Sequence, residues 1–137
     1  MRFSHRFSIC HASLFLLLAA AFVGCSGGQS GIVTGTITVD GKPIDGLQVE
    51  FVPKKVGTAT AIGFTSNGGQ YELMYGRGKK MIPAGEYRVT VGVFRESGSE
   101  VDRGLKLGKN YTSLEETELK ATVTGGTNPI DFALKTK

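Results

Sequence analysis

One stretch constrains this chain more than any other. Ile82-Pro83-Ala84-Gly85 feeds Glu86-Tyr87-Arg88-Val89-Thr90-Val91-Gly92-Val93, where Tyr87, Val89, Val91 and Val93 fall on one face of an extended strand. A strand that is apolar on one side only needs a second apolar face laid against it. The remainder of residues 31–137 offers that face repeatedly, as short alternating runs between Gly-rich turns.

Residues 32–39 set Val33, Ile37 and Val39 against threonines, and Asp40-Gly41-Lys42-Pro43 follows as a turn signal. The predicted hairpin partner is residues 47–52, with Leu47, Val49 and Phe51 inward, Gln48 and Glu50 outward, and Pro53 ending the ladder. Residues 58–65 and 70–75 are predicted to pair around Ser66-Asn67-Gly68-Gly69, with Tyr71 and Leu73 inside. The long polar segment 95–118, which contains Tyr111, is too long for a hairpin loop and predicts a crossover between sheets. Leu119, Ala121 and Val123 are expected to pair through Gly125-Gly126-Thr127-Asn128-Pro129 with Ile130, Phe132 and Leu134. No amphipathic helical pattern interrupts these runs. The fold class expected is all-β: an antiparallel Greek-key β-sandwich of about seven strands, following a signal peptide.

Residues 1–24 read as that signal peptide. A basic leader containing Arg2 and Arg6 precedes an apolar run from Leu14 to Val23, too short to span a bilayer, and then the small residue Gly24. Phe22-Val23-Gly24-Cys25 resembles the lipobox of bacterial lipoproteins, with Phe22 where Leu is usual. That resemblance implies cleavage before Cys25 and acylation of its thiol and new amino terminus, and two or more acyl chains anchor stably. Residues 25–30 then form the acylated Cys and a Gly/Ser tether that keeps the domain within about 20 Å of the bilayer. Ser26 after the Cys implies, by the sorting rule of Gram-negative lipoproteins, an exported protein in the outer membrane facing the periplasm.

Charge and reactive side chains narrow the function. The net charge of +4 includes Arg2 and Arg6 of the leader, and what remains is too small for a nucleic-acid partner. The only cysteines are Cys10 and Cys25 and the only histidines His5 and His11. Residues 31–137 therefore hold no disulfide, no Cys nucleophile, no His base and no His- or Cys-ligated metal. No cofactor is expected. Arg77, Lys79 and Lys80 punctuate a Gly-containing loop at 76–81 that lacks P-loop spacing; it reads as a solvated loop and as the candidate contact for anionic headgroups, envelope proteins or polysaccharide.

Val33-Thr34-Gly35-Thr36-Ile37 with Asp40-Gly41-Lys42-Pro43, then Gly63-Phe64-Thr65-Ser66-Asn67-Gly68-Gly69-Gln70-Tyr71 and Pro83-Ala84-Gly85-Glu86-Tyr87-Arg88-Val89, resemble the carboxypeptidase regulatory-like domain. Asn110-Tyr111 and residues 128–134 are similar to the tail of small bacterial lipoproteins built from that one domain. The resemblance implies a transthyretin-like (prealbumin-like) sandwich over residues 31–137, and such motifs speak for fold rather than for function. Ser66-Asn67-Gly68 departs from the Asp-x-Asp-Gly-like turn common in the family, which argues against Ca²⁺ there.

The function expected is that of a non-catalytic, lipid-anchored cell-envelope protein with a binding or structural module. Glycan binding through Tyr75 and Tyr111 and adhesion are the alternatives, with no Trp available as a stacking platform. An adhesin-type isopeptide from Lys42 to Asn128 or Asp131 is not expected, since Lys42 falls in a turn. A transthyretin-like hydrolase is the last alternative, and the residues speak against it: that resemblance implies site histidines and a C-terminal Tyr-Arg-Gly-Ser, whereas this sequence ends Leu134-Lys135-Thr136-Lys137.

Overall fold

The structure is a computed structural model that describes residues 28–94 and 104–137. It is an all-β sandwich. In one sheet β1 (Ser30–Val39) is the central strand. Along one edge it pairs antiparallel with β7 (Ile82–Pro83), β5 (Gln70–Glu72) and β2 (Lys42–Pro43) in turn. Along the other it pairs parallel with β10 (Gly126–Pro129) and then β11 (Phe132–Leu134). The facing sheet is antiparallel throughout, in the order β6 (Met74–Tyr75), β4 (Ala61–Phe64), β3 (Leu47–Pro53), β8 (Gly85–Val93) and β9 (Lys120–Val123).

The alternation read from sequence sets the inner faces. Val33, Ile37 and Val39 of β1 face Leu47, Val49 and Phe51 of β3 and Tyr87, Val89 and Val91 of β8, and all are buried. Ala61, Tyr71, Leu73, Ile82, Val123, Phe132 and Leu134 complete the core. Phe51 lies at its aromatic centre, with its ring 5.9 Å from Tyr87 and 6.2 Å edge-on from Phe132.

All seven predicted runs are extended, but three predicted hairpins are not simple ones. Asp40 and Gly41 do make the two-residue turn, with φ of 50° and 79°, yet β1 returns only to the two-residue β2. Pro43 has no N–H to extend the ladder, and the apolar face of β3 can be buried only against β1, not beside it. The chain therefore crosses at Gly46 and β3 joins the opposite sheet. For the same reason residues 70–75 change sheet at Leu73: β5 lies on β1, β6 on β4, and the Leu73 N–H donates to the Val33 carbonyl at 3.0 Å. The expected pairing of 119–123 with 130–134 is replaced by a crossing, with β9 on β8 and β10 and β11 on β1. Buried Asn128 holds that crossing: its Oδ1 accepts from the Thr124 N–H at 2.9 Å, and its Nδ2 donates to the Thr124 carbonyl at 2.9 Å.

The segment expected as a crossover contains one helical turn, α1 (Lys109–Thr112), packed against β8. Thr117 Oγ1 donates to the Val89 carbonyl at 2.6 Å, so this segment finishes the edge of β8 beyond its pairing with β9. No helix among the described residues is long and apolar enough to cross a membrane.

The two edges of β1 are linked across Gly35. A Cβ there would overlap the Ile130 carbonyl oxygen and lie 2.9 Å from the Tyr71 ring, because Tyr71 passes under Gly35 and donates its hydroxyl to that carbonyl at 2.6 Å. Gly35→Ala is expected to cost about 3 kcal/mol or more, since backbone rather than a flexible side chain must move; urea unfolding would measure it. Tyr71→Phe should cost about 1 kcal/mol at neutral pH through the lost hydrogen bond. Burial first, and the Asp131 charge second, push the Tyr71 hydroxyl above the ordinary tyrosine value, and burial raises Tyr87 too. Stability from a raised tyrosine is complete below the unfolded value, about 10, and falls as pH rises beyond it. Tyr71→Phe should make that alkaline decline shallower, as followed by thermal melts across the pH range.

Candidate functional site

The sandwich leaves one flank open where β5 leaves for its own sheet and β4 and β6 stay in the other. A groove of about 540 Å³ runs along it, lined by Thr34, Thr36, Phe64, Asn67, Gln70 and Met74, with Ser66, Glu72 and parts of Gly35 and Tyr71 at its base and rim. Phe64 and Met74 stay 43% and 50% exposed, two large apolar side chains lining the same groove. The Phe64 ring centroid lies 4.5 Å from that of Phe94, which fixes its orientation.

Local sequence explains why apolar bulk lies outside here. The inward positions of β4 are Ala61 and Gly63, and a Cβ on Gly63 would meet the Glu72 carbonyl oxygen at 2.8 Å. The strand changing sheets occupies the space where a larger inward residue would sit. Ile62 and Phe64 point the other way, with Ile62 opposite Met74. The polar rim is equally ordered: Asp45 Oδ1 accepts from the N–H groups of Gly68 and Gly69 at 3.0 and 2.6 Å, and Ser66 and Gln70 exchange backbone hydrogen bonds. The Gly68 and Gly69 amides are thus occupied by a carboxylate of the same chain.

Chemically the groove offers contact. Its one carboxylate, Glu72, is matched by Lys80 at 2.9 Å. Among the described residues no three His, Cys, Asp or Glu side chains converge as metal ligands, and no buried side-chain nitrogen or oxygen lacks a partner.

Cys25 lies outside the described residues. Arg77, Lys79 and Lys80 are exposed on the turn joining β6 to β7, where Tyr75 and Lys79 exchange backbone hydrogen bonds of 2.6 and 2.9 Å. None of the three lines the groove. Tyr75 is half-buried against the core; Tyr111 is half-buried too and lines a second groove of about 440 Å³ with Lys109, Glu116 and Lys135. Among the described residues the exposed aromatic is Phe64, which alternation alone does not single out because its run has small residues inside and large ones outside. Asn128 is committed to the 124–128 crossing, and Asp131 accepts from the Thr36 N–H at 2.7 Å. Lys42 stands opposite Val39, and Asn128 opposite Val33, six residues or about 20 Å along β1.

The fold and surface together define a β-sandwich domain with an open contact groove on one flank. No family model matches the chain, and no curated protein matches it. Among solved structures it is similar to a crystal structure of a DUF3823 family protein from Parabacteroides merdae, with 14% identity and a TM-score of 0.47 over 80% of this chain. The match spans 46% of that chain, less than half its length.

The pole where the chain enters β1 carries an exposed ion pair, Lys54 Nζ to Glu86 Oε2 at 2.7 Å. The hydrogen bond from Lys54 holds the Glu86 carboxyl below the ordinary range. Any stability from this pair is present above the unfolded value and lost as pH falls through the lowered folded one. Lys54→Met is expected to raise the Glu86 midpoint towards that of an unpaired glutamate, as read from its side-chain carboxyl NMR shift, with little change in neutral-pH melting.

Proposed function

We propose that this chain is a small exported lipoprotein of the carboxypeptidase regulatory-like group, anchored through acyl chains on Cys25 to the outer membrane and facing the periplasm. Its sandwich binds and does not convert. The single observation that carries the binding role is the make-up of the open groove: an exposed aromatic ring, a thioether, hydroxyls and amides around a carboxylate already matched by a lysine. Such a surface supplies apolar area and oriented hydrogen bonds, the two ingredients of recognition, without an activated nucleophile or a poised acid and base. The basic leader, apolar run and Gly24-Cys25 junction support the anchor. The turn and strand motifs of residues 33–43, 63–71 and 83–89 support the family reading.

The partner favoured by this make-up is another envelope component, protein or polysaccharide. A glycan is the more specific second reading, because Phe64 offers a face for a sugar ring while Asn67 and Gln70 flank it with amide donors and acceptors. Two measurements test the proposal. Intact-mass spectrometry of protein extracted from membranes should give a chain that begins at Cys25 and carries acyl groups; a different mature N-terminus or a free Cys25 thiol would remove the anchor. Crosslinking in intact cells should recover specific partners that are lost in Phe64→Ala/Met74→Ala, and NMR shifts of Asn67 and Gln70 on adding envelope oligosaccharides would favour the glycan. Partners unaffected by these substitutions would remove the groove from consideration, and reproducible turnover by purified protein would overturn the non-catalytic reading.

A further inference from the structure

The topology fixes which end of the sandwich meets the tether. β1 begins at Ser30, and Ser30 and Gly31 pair antiparallel with Pro83 and Ile82, which places Met81 one step further along β1 from the entry; β6 runs in the same direction as β3, so the 76–79 turn that ends it closes at the pole where β3 ends at Pro53. The Gln29 carbonyl accepts from the Ala84 N–H at 2.7 Å, and two residues on, the Glu86 carbonyl accepts from the Lys54 N–H at 3.0 Å. The 76–81 loop and the turn beginning at Lys54 therefore lie at the same pole as the start of β1.

That pole is cationic, with apolar side chains projecting from it. Lys54 and Lys80 pair with Glu86 and Glu72. Lys55, Arg77 and Lys79 are exposed and have no acidic partner among the described residues. Val56 is 96% exposed and Met81 51%, so the two loops each present an apolar side chain amid cations. Lone exposed apolar residues are ordinary on protein surfaces. Here both sit at the end from which the chain leaves, only five residues after Cys25, a reach of at most about 18 Å. The opposite pole also has lysines, Lys42 and Lys135 among them, but they are interleaved with Asp40 and Asp45, and the large apolar side chain exposed towards that end, Phe64, packs against Phe94 rather than standing among cations.

We propose that this pole is a second, reversible membrane contact, in which Lys55, Arg77 and Lys79 engage anionic phospholipid headgroups and Val56 and Met81 enter the interfacial layer. The proposal rests on the lipid-anchor reading and extends it: the acyl chains hold the domain at the surface, and the pole sets its orientation. β1 then stands up from the bilayer. Thr34 and Thr36 lie four and six residues along it, about 13–20 Å above its start, so the groove opens sideways and clear of lipid.

The test uses the full mature protein purified from membranes and reconstituted into phosphatidylcholine vesicles with or without phosphatidylglycerol. Its intact mass reports the anchor independently. When Cys25 is acylated, a cysteine introduced as Val56→Cys or Lys42→Cys is the single free thiol, and a polarity-sensitive fluorophore placed there reports depth. In phosphatidylglycerol vesicles the label at position 56 should shift to the blue and be quenched by spin-labelled lipid, while the label at 42 should stay in water. Lys55/Arg77/Lys79→Gln should weaken the contact at least tenfold, since each cation near an anionic surface contributes about a fivefold effect. High salt should do the same, and Lys42/Lys135→Gln should not. Equal signals from both labels, or no quenching at 56 with Cys25 acylated, would overturn the proposal while leaving the anchor intact. If the mass shows Cys25 unmodified, the anchor reading fails by itself. Co-sedimentation of that chain with phosphatidylglycerol vesicles then decides the contact: binding lost in Lys55/Arg77/Lys79→Gln supports it, and absence of binding overturns it.

Discussion

The fold depends on satisfying both edges of β1. A strand buried on one face must pair its backbone groups on both sides or leave them unsatisfied next to the core. Five short segments divide that pairing between them, with β7, β5 and β2 along one edge and β10 and β11 along the other. Because the partners come from four separate parts of the chain, β1 ties its beginning, middle and end together. The Tyr71 hydroxyl on the Ile130 carbonyl, passing beneath Gly35, joins the two edges directly.

This arrangement also produces the open flank. A segment that pairs with β1 over three residues and then with β4 over two cannot cover both sheets, and its crossing at Leu73 forces small residues onto the inner side of β4. The apolar side chains of β4 are displaced outward, where Phe64 lines the groove with Met74 of the neighbouring β6. The feature most suited to recognition is thus a by-product of how the sandwich is closed. Asp45 contributes from a distance in sequence by occupying the amides of Gly68 and Gly69 and fixing the groove's rim.

The same topology separates two surfaces. The groove lies part-way up β1, whereas the 54–56 and 76–79 turns lie towards its start. The two surfaces meet at one contact, the ion pair of Lys80 with the groove's Glu72.

The sequence by itself determined the fold class and the inner faces. Period-2 alternation places Tyr87, Val89 and Val91, or Leu47, Val49 and Phe51, on the buried side wherever their strand goes, because a pleated strand has only two faces. It also excluded His and Cys chemistry from residues 31–137, since composition needs no coordinates. Only the tertiary structure decided which strands are neighbours. The turn at Asp40-Gly41 and the glycines at 125 and 126 are equally compatible with a hairpin or a change of sheet, and the choice rests on where each apolar face finds its counterpart. Phe64 became a surface residue, and the 54–56 and 76–81 loops became one pole, through contacts between segments distant in sequence, which no local pattern encodes.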